Sequence, residues 1–241
     1  MRMTTAFVMT GLFAAIGWLH QPMARAQDAL DPLVVDPQHY HLEFENDFVR
    51  VVRLRLPPHE KGVMHRHPLS GVSILLTDQH LLRTLPDGTT REIQGKAGKV
   101  SWTEPATHMG ENLMGQPYEY ISVDLKPMAK KAAARAALND LDPLVVDPQH
   151  YSLELENEYV KVIRCRIPPH DSVKMHHHTS NSVMVFPRDQ QLRQTAADGT
   201  IRDLYPKAGQ ALWTEPATHK GENLSDQPFE YLRVDIKATA Q

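Results

Sequence analysis

Along most of the chain apolar and polar positions alternate. Val52, Leu54 and Leu56 interleave with Arg53 and Arg55, and Ile163, Cys165 and Ile167 interleave with Arg164 and Arg166. A period of two puts alternate side chains on opposite faces of a β-strand. Turn formers interrupt the alternation about every ten residues: Pro57-Pro58, Pro86-Asp87-Gly88, Gly98, Pro105 and Gly115-Gln116-Pro117, then Pro168-Pro169, Asp198-Gly199, Gly209, Pro216 and Gln227-Pro228. Short strands at that spacing predict an all-β sandwich or small barrel.

The pattern occurs twice. Residues 30–126 align without a gap on residues 141–237, from a shared Leu-Asp-Pro-Leu-Val-Val-Asp-Pro-Gln-His-Tyr to a shared Val-Asp-x-Lys, and more than half of the positions are identical. A period of about 110 residues is one small domain, too long for a solenoid unit. The expected organisation is a first domain over residues 27–126, an Ala/Lys-rich connector over 127–140 and a second domain over 141–241. Single-copy domains of this size often pair through an exposed sheet edge, so the duplicate is expected to form a pseudo-symmetric pair within one chain in the same way.

Residues 1–26 stand outside the repeat. Arg2, an apolar run over 6–19 and the small-residue sequence Ala24-Arg25-Ala26 read as a secretory signal peptide, the run being shorter than the roughly 20 residues a bilayer requires. The expectation is a periplasmic or secreted protein with no stable membrane anchor after cleavage. Cys165 is the single cysteine, so no internal disulfide holds the fold, and its counterpart Leu54 predicts a buried apolar role. The formal charge of −3 falls to about −5 without Arg2 and Arg25, and no large basic cluster is present. Nucleic acid and acidic membranes are therefore not expected partners.

The chain holds 14 histidines, so a His-x-His pair alone says little. His39-Tyr40-His41 has the spacing, but its counterpart is His150-Tyr151-Ser152, which predicts surface or packing histidines. His65-Arg66-His67 is matched by His176-His177-His178. On a strand the outer pair shares one face while Arg66 and His177 point away. A third histidine follows a Pro turn about forty residues on, in Trp102-Thr103-Glu104-Pro105-Ala106-Thr107-His108, repeated as Trp213-Thr214-Glu215-Pro216-Ala217-Thr218-His219.

His-x-His followed by Gly98-x5-Glu104-Pro105-x2-His108-x3-Asn112 resembles the two signature motifs of the cupin superfamily, and both recur in the second copy. The resemblance implies a six- to eight-stranded jelly-roll barrel per copy, hence a bicupin. It implies metal ligands at His65, His67 and His108 and at His176, His178 and His219. Metal-binding cupins usually add a glutamate four or five residues after the second histidine. Gly71 and Val72, or Ser182 and Val183, stand there instead. That leaves three-histidine sites with open positions for a divalent transition metal, one per domain at most, with iron, zinc, copper, nickel and manganese all suited to imidazole. The alternative is histidines that line the barrel and satisfy one another by hydrogen bonds.

Other polar residues are weaker candidates. Glu104 and Glu215 sit in the turn at the barrel mouth, where a general base or substrate contact is conceivable. Glu111 and Glu222 follow the third histidine by three residues and should face away. His59 and His170 lie in loops and should meet solvent, and the arginines at 53, 55, 164 and 166 should occupy an outward sheet face. No carboxylate or tyrosine is fixed beside the metal by this pattern. Two functional classes follow: a metal-dependent enzyme on a small organic molecule, with dioxygenase-like chemistry favoured over lyase, isomerase or hydrolase chemistry, or a non-catalytic binder of metal or a small ligand. The partner is a small molecule, and the protein is a monomeric bicupin or a homo-oligomer.

Overall fold

The computed structural model describes residues 29–127 and 140–237. The segment expected to be a signal peptide, residues 1–26, and nearly all of the connector lie outside the described residues. The first copy opens on a short helix α1 (Pro32–Val35), which the alternation did not reveal. Asp31 caps it, accepting from Leu33 N, with Pro32 at its first turn, where a missing N–H costs nothing.

Nine strands follow: β1 (Tyr40–Glu45), β2 (Val49–Leu56), β3 (His65–His67), β4 (Gly71–Leu75), β5 (Gln79–Thr84), β6 (Thr90–Gly95), β7 (Val100–Thr103), β8 (Ala106–Asn112) and β9 (Tyr118–Leu125). They form a five-stranded sheet in the order β1-β2-β9-β4-β7 and a four-stranded sheet in the order β3-β8-β5-β6. Nine exceeds the expected six to eight because the chain changes sheet after His67. Pro68 donates no backbone hydrogen bond there, and β3 pairs with β8 while β4 pairs with β9.

The second copy repeats the plan through α2 (Pro143–Val146), β10 (Tyr151–Glu156), β11 (Val160–Ile167), β12 (His176–His178), β13 (Ser182–Val185), β14 (Leu192–Ala196), β15 (Ile201–Leu204), β16 (Ala211–Thr214), β17 (Ala217–Glu222) and β18 (Phe229–Ile236). Its sheets run β10-β11-β18-β13-β16 and β12-β17-β14-β15. Cys165 is fully buried in its core, and burial pushes the thiol up to about 12.

The barrels pair as expected but by a different surface. The outward faces of the two five-stranded sheets meet, and Val49, Val51, Ile121 and Val123 join Val160, Val162, Leu232 and Val234 in one buried cluster. Each such side chain stabilises by about 1.5–3 kcal/mol on burial, which an edge-to-edge contact could not match. Phe48 stacks on Trp213 with ring centroids 5.4 Å apart, and Trp102 stacks on Tyr159 at 5.5 Å. Arg53 and Arg164 do lie on the outward faces, yet the neighbouring barrel covers them: Arg53 donates to Gly209 O and Arg164 to Gly98 O. No helix among the described residues is long and apolar enough to cross a membrane.

Candidate metal centres

Antiparallel pairing of β3 with β8 sets His65 opposite His108, and pairing of β12 with β17 sets His176 opposite His219. With His67 and His178 two residues along, each triad offers ring nitrogens that all lie within 4.8 Å of one another. The six histidines named from sequence are thus gathered into two groups of three. His177 points away, its Nδ1 2.7 Å from Thr218 Oγ1, and Arg66 is exposed.

The donor set suits a cation. His65 Nδ1 lies 2.7 Å from Val63 O and His176 Nδ1 lies 2.8 Å from Lys174 O, which fixes the N–H on Nδ1 and leaves Nε2 with a bare lone pair. That Nε2 is 3.1 Å from Nε2 of His67, and in the second centre of His178. Lone pairs converging so closely need a proton or a cation between them. His108 Nδ1 is buried with no hydrogen-bond partner among the described residues. Burial above all, with neighbouring Arg83 and the other rings, holds His67 down to about 3 and His108 down to about 2. In the second centre His219 is lowered to about 3 and His178 also lies well below its usual range. The rings are neutral at physiological pH, the form that binds metal.

The alternation of residue types left a tyrosine unseen at each centre. Tyr40 Oη sits 2.9 Å from His65 Nε2, and Tyr151 Oη 3.1 Å from His176 Nε2. Both are buried on the first strand of their barrel, and burial raises both phenols. The repeated Gln-His-Tyr carries both tyrosines in frame. His39 itself packs inside, bonded to Asp36 at 2.7 Å.

A glutamate has no room where metal-binding cupins usually carry one. A Cβ on Gly71 would fall 2.3 Å from Val123 O, while Val72 faces the other barrel and Ser182 bonds Thr214 Oγ1 at 2.8 Å.

The first barrel encloses a cavity of about 440 Å³, lined by the triad together with Arg83, Tyr118, Tyr120, Ser122 and Asp124 among others. Asp124 is buried, bonded by Ser122 Oγ, and desolvation pushes its carboxyl up to about 6. Glu104 reaches the same mouth but is exposed and accepts from Trp102 Nε1 and Ser70 Oγ, which hold its carboxyl below the usual range. Glu215 is exposed at the matching turn, and Glu111 and Glu222 do not line the cavity. His59 and His170 are exposed in loops at φ 58°. Asn112, the last residue of the second motif, is structural: its Nδ2 clasps the carbonyls of Leu56, Pro57 and Gln116.

The second interior differs. Phe186, Met184 and Arg233 stand where the first barrel has Leu75, Ser73 and Ser122. Arg233 is 1% exposed and donates to Asp235, Thr214 Oγ1 and Ser180 O. The second interior is thus taken up by larger side chains.

No protein-family description and no curated protein matches the sequence. Among solved structures, AerE from Microcystis aeruginosa is similar with a TM-score of 0.55 at 16% identity, over 82% of this chain and 92% of its own. Oxalate decarboxylase from Bacillus subtilis gives 0.52 at 11% identity, over 80% of this chain and 70% of that one. The Lactobacillus farciminis enzyme of the same name gives 0.52 at 12%, over 80% and 78%. At such identities the likeness speaks for fold, and the fold has two barrels in each coverage. The fold of this chain is that of a bicupin, two jelly-roll barrels in tandem with a three-histidine group in each.

Proposed function

We propose that the protein is an exported metal-dependent enzyme that acts on a small organic molecule in its first barrel. The observation that carries this is the cavity over the first triad, whose volume lies within the range of about 300–1,000 Å³ typical of ligand sites. A divalent cation held by His65, His67 and His108 would supply Lewis acidity and open coordination positions. The chain adds its own chemistry. Gln79 Nε2 donates to Tyr118 Oη at 2.7 Å, leaving the Tyr118 hydroxyl proton free to meet a ligand. Asp124, whose carboxyl desolvation pushes up to about 6, is the candidate for moving a proton. Glu104, held ionised by its two donors at the rim, is better suited to a substrate contact.

Whether the reaction is of dioxygenase, lyase, isomerase or hydrolase type depends on the metal. The Bacillus subtilis oxalate decarboxylase has Mn(II) centres, so manganese belongs beside iron, zinc, copper and nickel among the ions to offer. A second reading, binding without turnover, is favoured in the second barrel by the bulk of Phe186 and Arg233.

The test is elemental analysis of mature protein purified without chelators, beside a variant with His65, His67 and His108 changed to alanine. About two equivalents falling to about one supports a centre in each barrel. No metal above background after all five ions are offered overturns the proposal. Export over residues 1–26 is tested by locating the mature N-terminus in cell fractions.

A further inference from the structure

Arg83 is an uncompensated cation in the first chamber. It extends from β5 on the same face as Gln79 and Leu81 and lines the cavity with the three histidines. Among the described residues it has neither a hydrogen bond nor an ion pair. Across the ladder its partner is Arg91, also lining the cavity and likewise without a carboxylate. Like charges set opposite each other on neighbouring strands repel, and a partly buried guanidinium without an anion is costly. The opposite wall carries an apolar stretch, Leu54, Leu56 and Leu75, beside Tyr118, Tyr120, Ser122 and Asp124, whose carboxyl is taken up by Ser122 Oγ.

The second barrel lacks this arrangement. Gln194 replaces Arg83, and its buried cation, Arg233, comes from another strand and is already neutralised by Asp235 at 2.7 Å. We infer that the first barrel alone binds a small carboxylic acid as its anion, the carboxylate on Arg83 and an apolar body against the leucine wall, beside the histidine centre. This rests on the first barrel being the ligand chamber and names the class of molecule it takes. The guanidinium fork matches a carboxylate in two parallel bonds.

Calorimetric titration with benzoate, succinate and neutral benzamide tests it on metal-loaded and chelator-treated protein, for wild type, Arg83→Gln, Arg83→Lys and Gln194→Arg. Benzoate or succinate should bind at one equivalent per chain and benzamide far more weakly. Arg83→Gln should weaken the carboxylate roughly 10- to 100-fold with metal content unchanged, and Arg83→Lys should lose less. Gln194→Arg should leave the stoichiometry at one. Failure of both acids to bind loaded wild type, two equivalents per chain, or affinity indifferent to Arg83→Gln would each overturn the inference. Carboxylate binding to protein that takes up no metal would uphold it while sinking the metalloenzyme reading.

Discussion

Arg164 Nη2 crosses the boundary between the barrels to the carbonyl oxygen of Gly98, 2.5 Å away, and Arg53 Nη2 returns the bond to Gly209 O at 2.6 Å. Both glycines have positive φ, 82° and 74°, and a Cβ on Gly209 would lie 2.3 Å from Arg53 Nη1. The clasp therefore needs glycine for its backbone angle and for its space. Arg164 also holds Glu154 and Glu230, with its own side chain 6% exposed against 18% for Arg53.

Arg164→Ala removes the guanidinium from Glu154 and from Glu230, which keeps Arg188 at 2.9 Å, and should cost about 1.5–3 kcal/mol. Arg53→Ala, nearer to water, should cost less. Urea unfolding followed by tryptophan fluorescence checks the order, and equal small shifts would refute it.

The depressed histidines make a prediction about protons. Rings held near 3 and 2 are already neutral at neutral pH, so metal uptake should displace few protons from them. Calorimetric enthalpies measured near pH 7 in phosphate and in Tris should nearly coincide, whereas a difference equal to several protons per chain would contradict neutral rings. The same depression sets a sign for stability. The neutral rings contribute stability present above the unfolded value of about 6.5, and it is lost as pH falls toward about 3, because the unfolded chain takes up protons that the folded rings refuse.

Asp124 has the opposite sign. Its carboxyl is raised from 3.8 to about 6, so its contribution is fully present below the lower value and is lost as pH rises through the upper one. Two units correspond to about 3 kcal/mol. Asp124→Asn keeps an acceptor for Ser122 and removes the charge. Relative to wild type, the metal-free variant should gain up to about 3 kcal/mol between about pH 4 and about pH 7.5. Chemical denaturation at the two pH values measures this, and a constant difference would sink it.

Gly71→Ala places a methyl group against Val123 O in the sheet that joins the barrels. Overpacking of that kind costs about 1–3 kcal/mol. Ser182→Ala, at the matching position, gives up a hydrogen bond to Thr214 worth about 1 kcal/mol. Thermal melting of both variants should show the larger drop for Gly71→Ala; the reverse order would show that the strand moves aside.

Alternation makes strands legible but does not say which face is the inside. Along β9, Ile121, Val123 and Leu125 look like the wall of a barrel core, yet they meet the other barrel, and Tyr118, Tyr120, Ser122 and Asp124 line the chamber. The triads were readable because duplication holds all six histidines in frame. Tyr40 was not, since its contact with His65 is made between elements 25 residues apart. Arg233 was hidden for the β9 reason: without knowing the inward face, an arginine in place of Ser122 reads as one more surface charge.

The face-to-face seam has a consequence for inheritance. In a dimer of identical subunits every substitution arrives twice, so a bulky cation in one chamber would close both. Here a single peptide carries two genetic addresses for each position. The seam keeps Val51 matched by Val162 and Val123 by Val234, while Ser122 and Arg233 have gone separate ways behind it. One lobe is free to specialise for chemistry and the other to become ballast for it, with neither change forced on its twin.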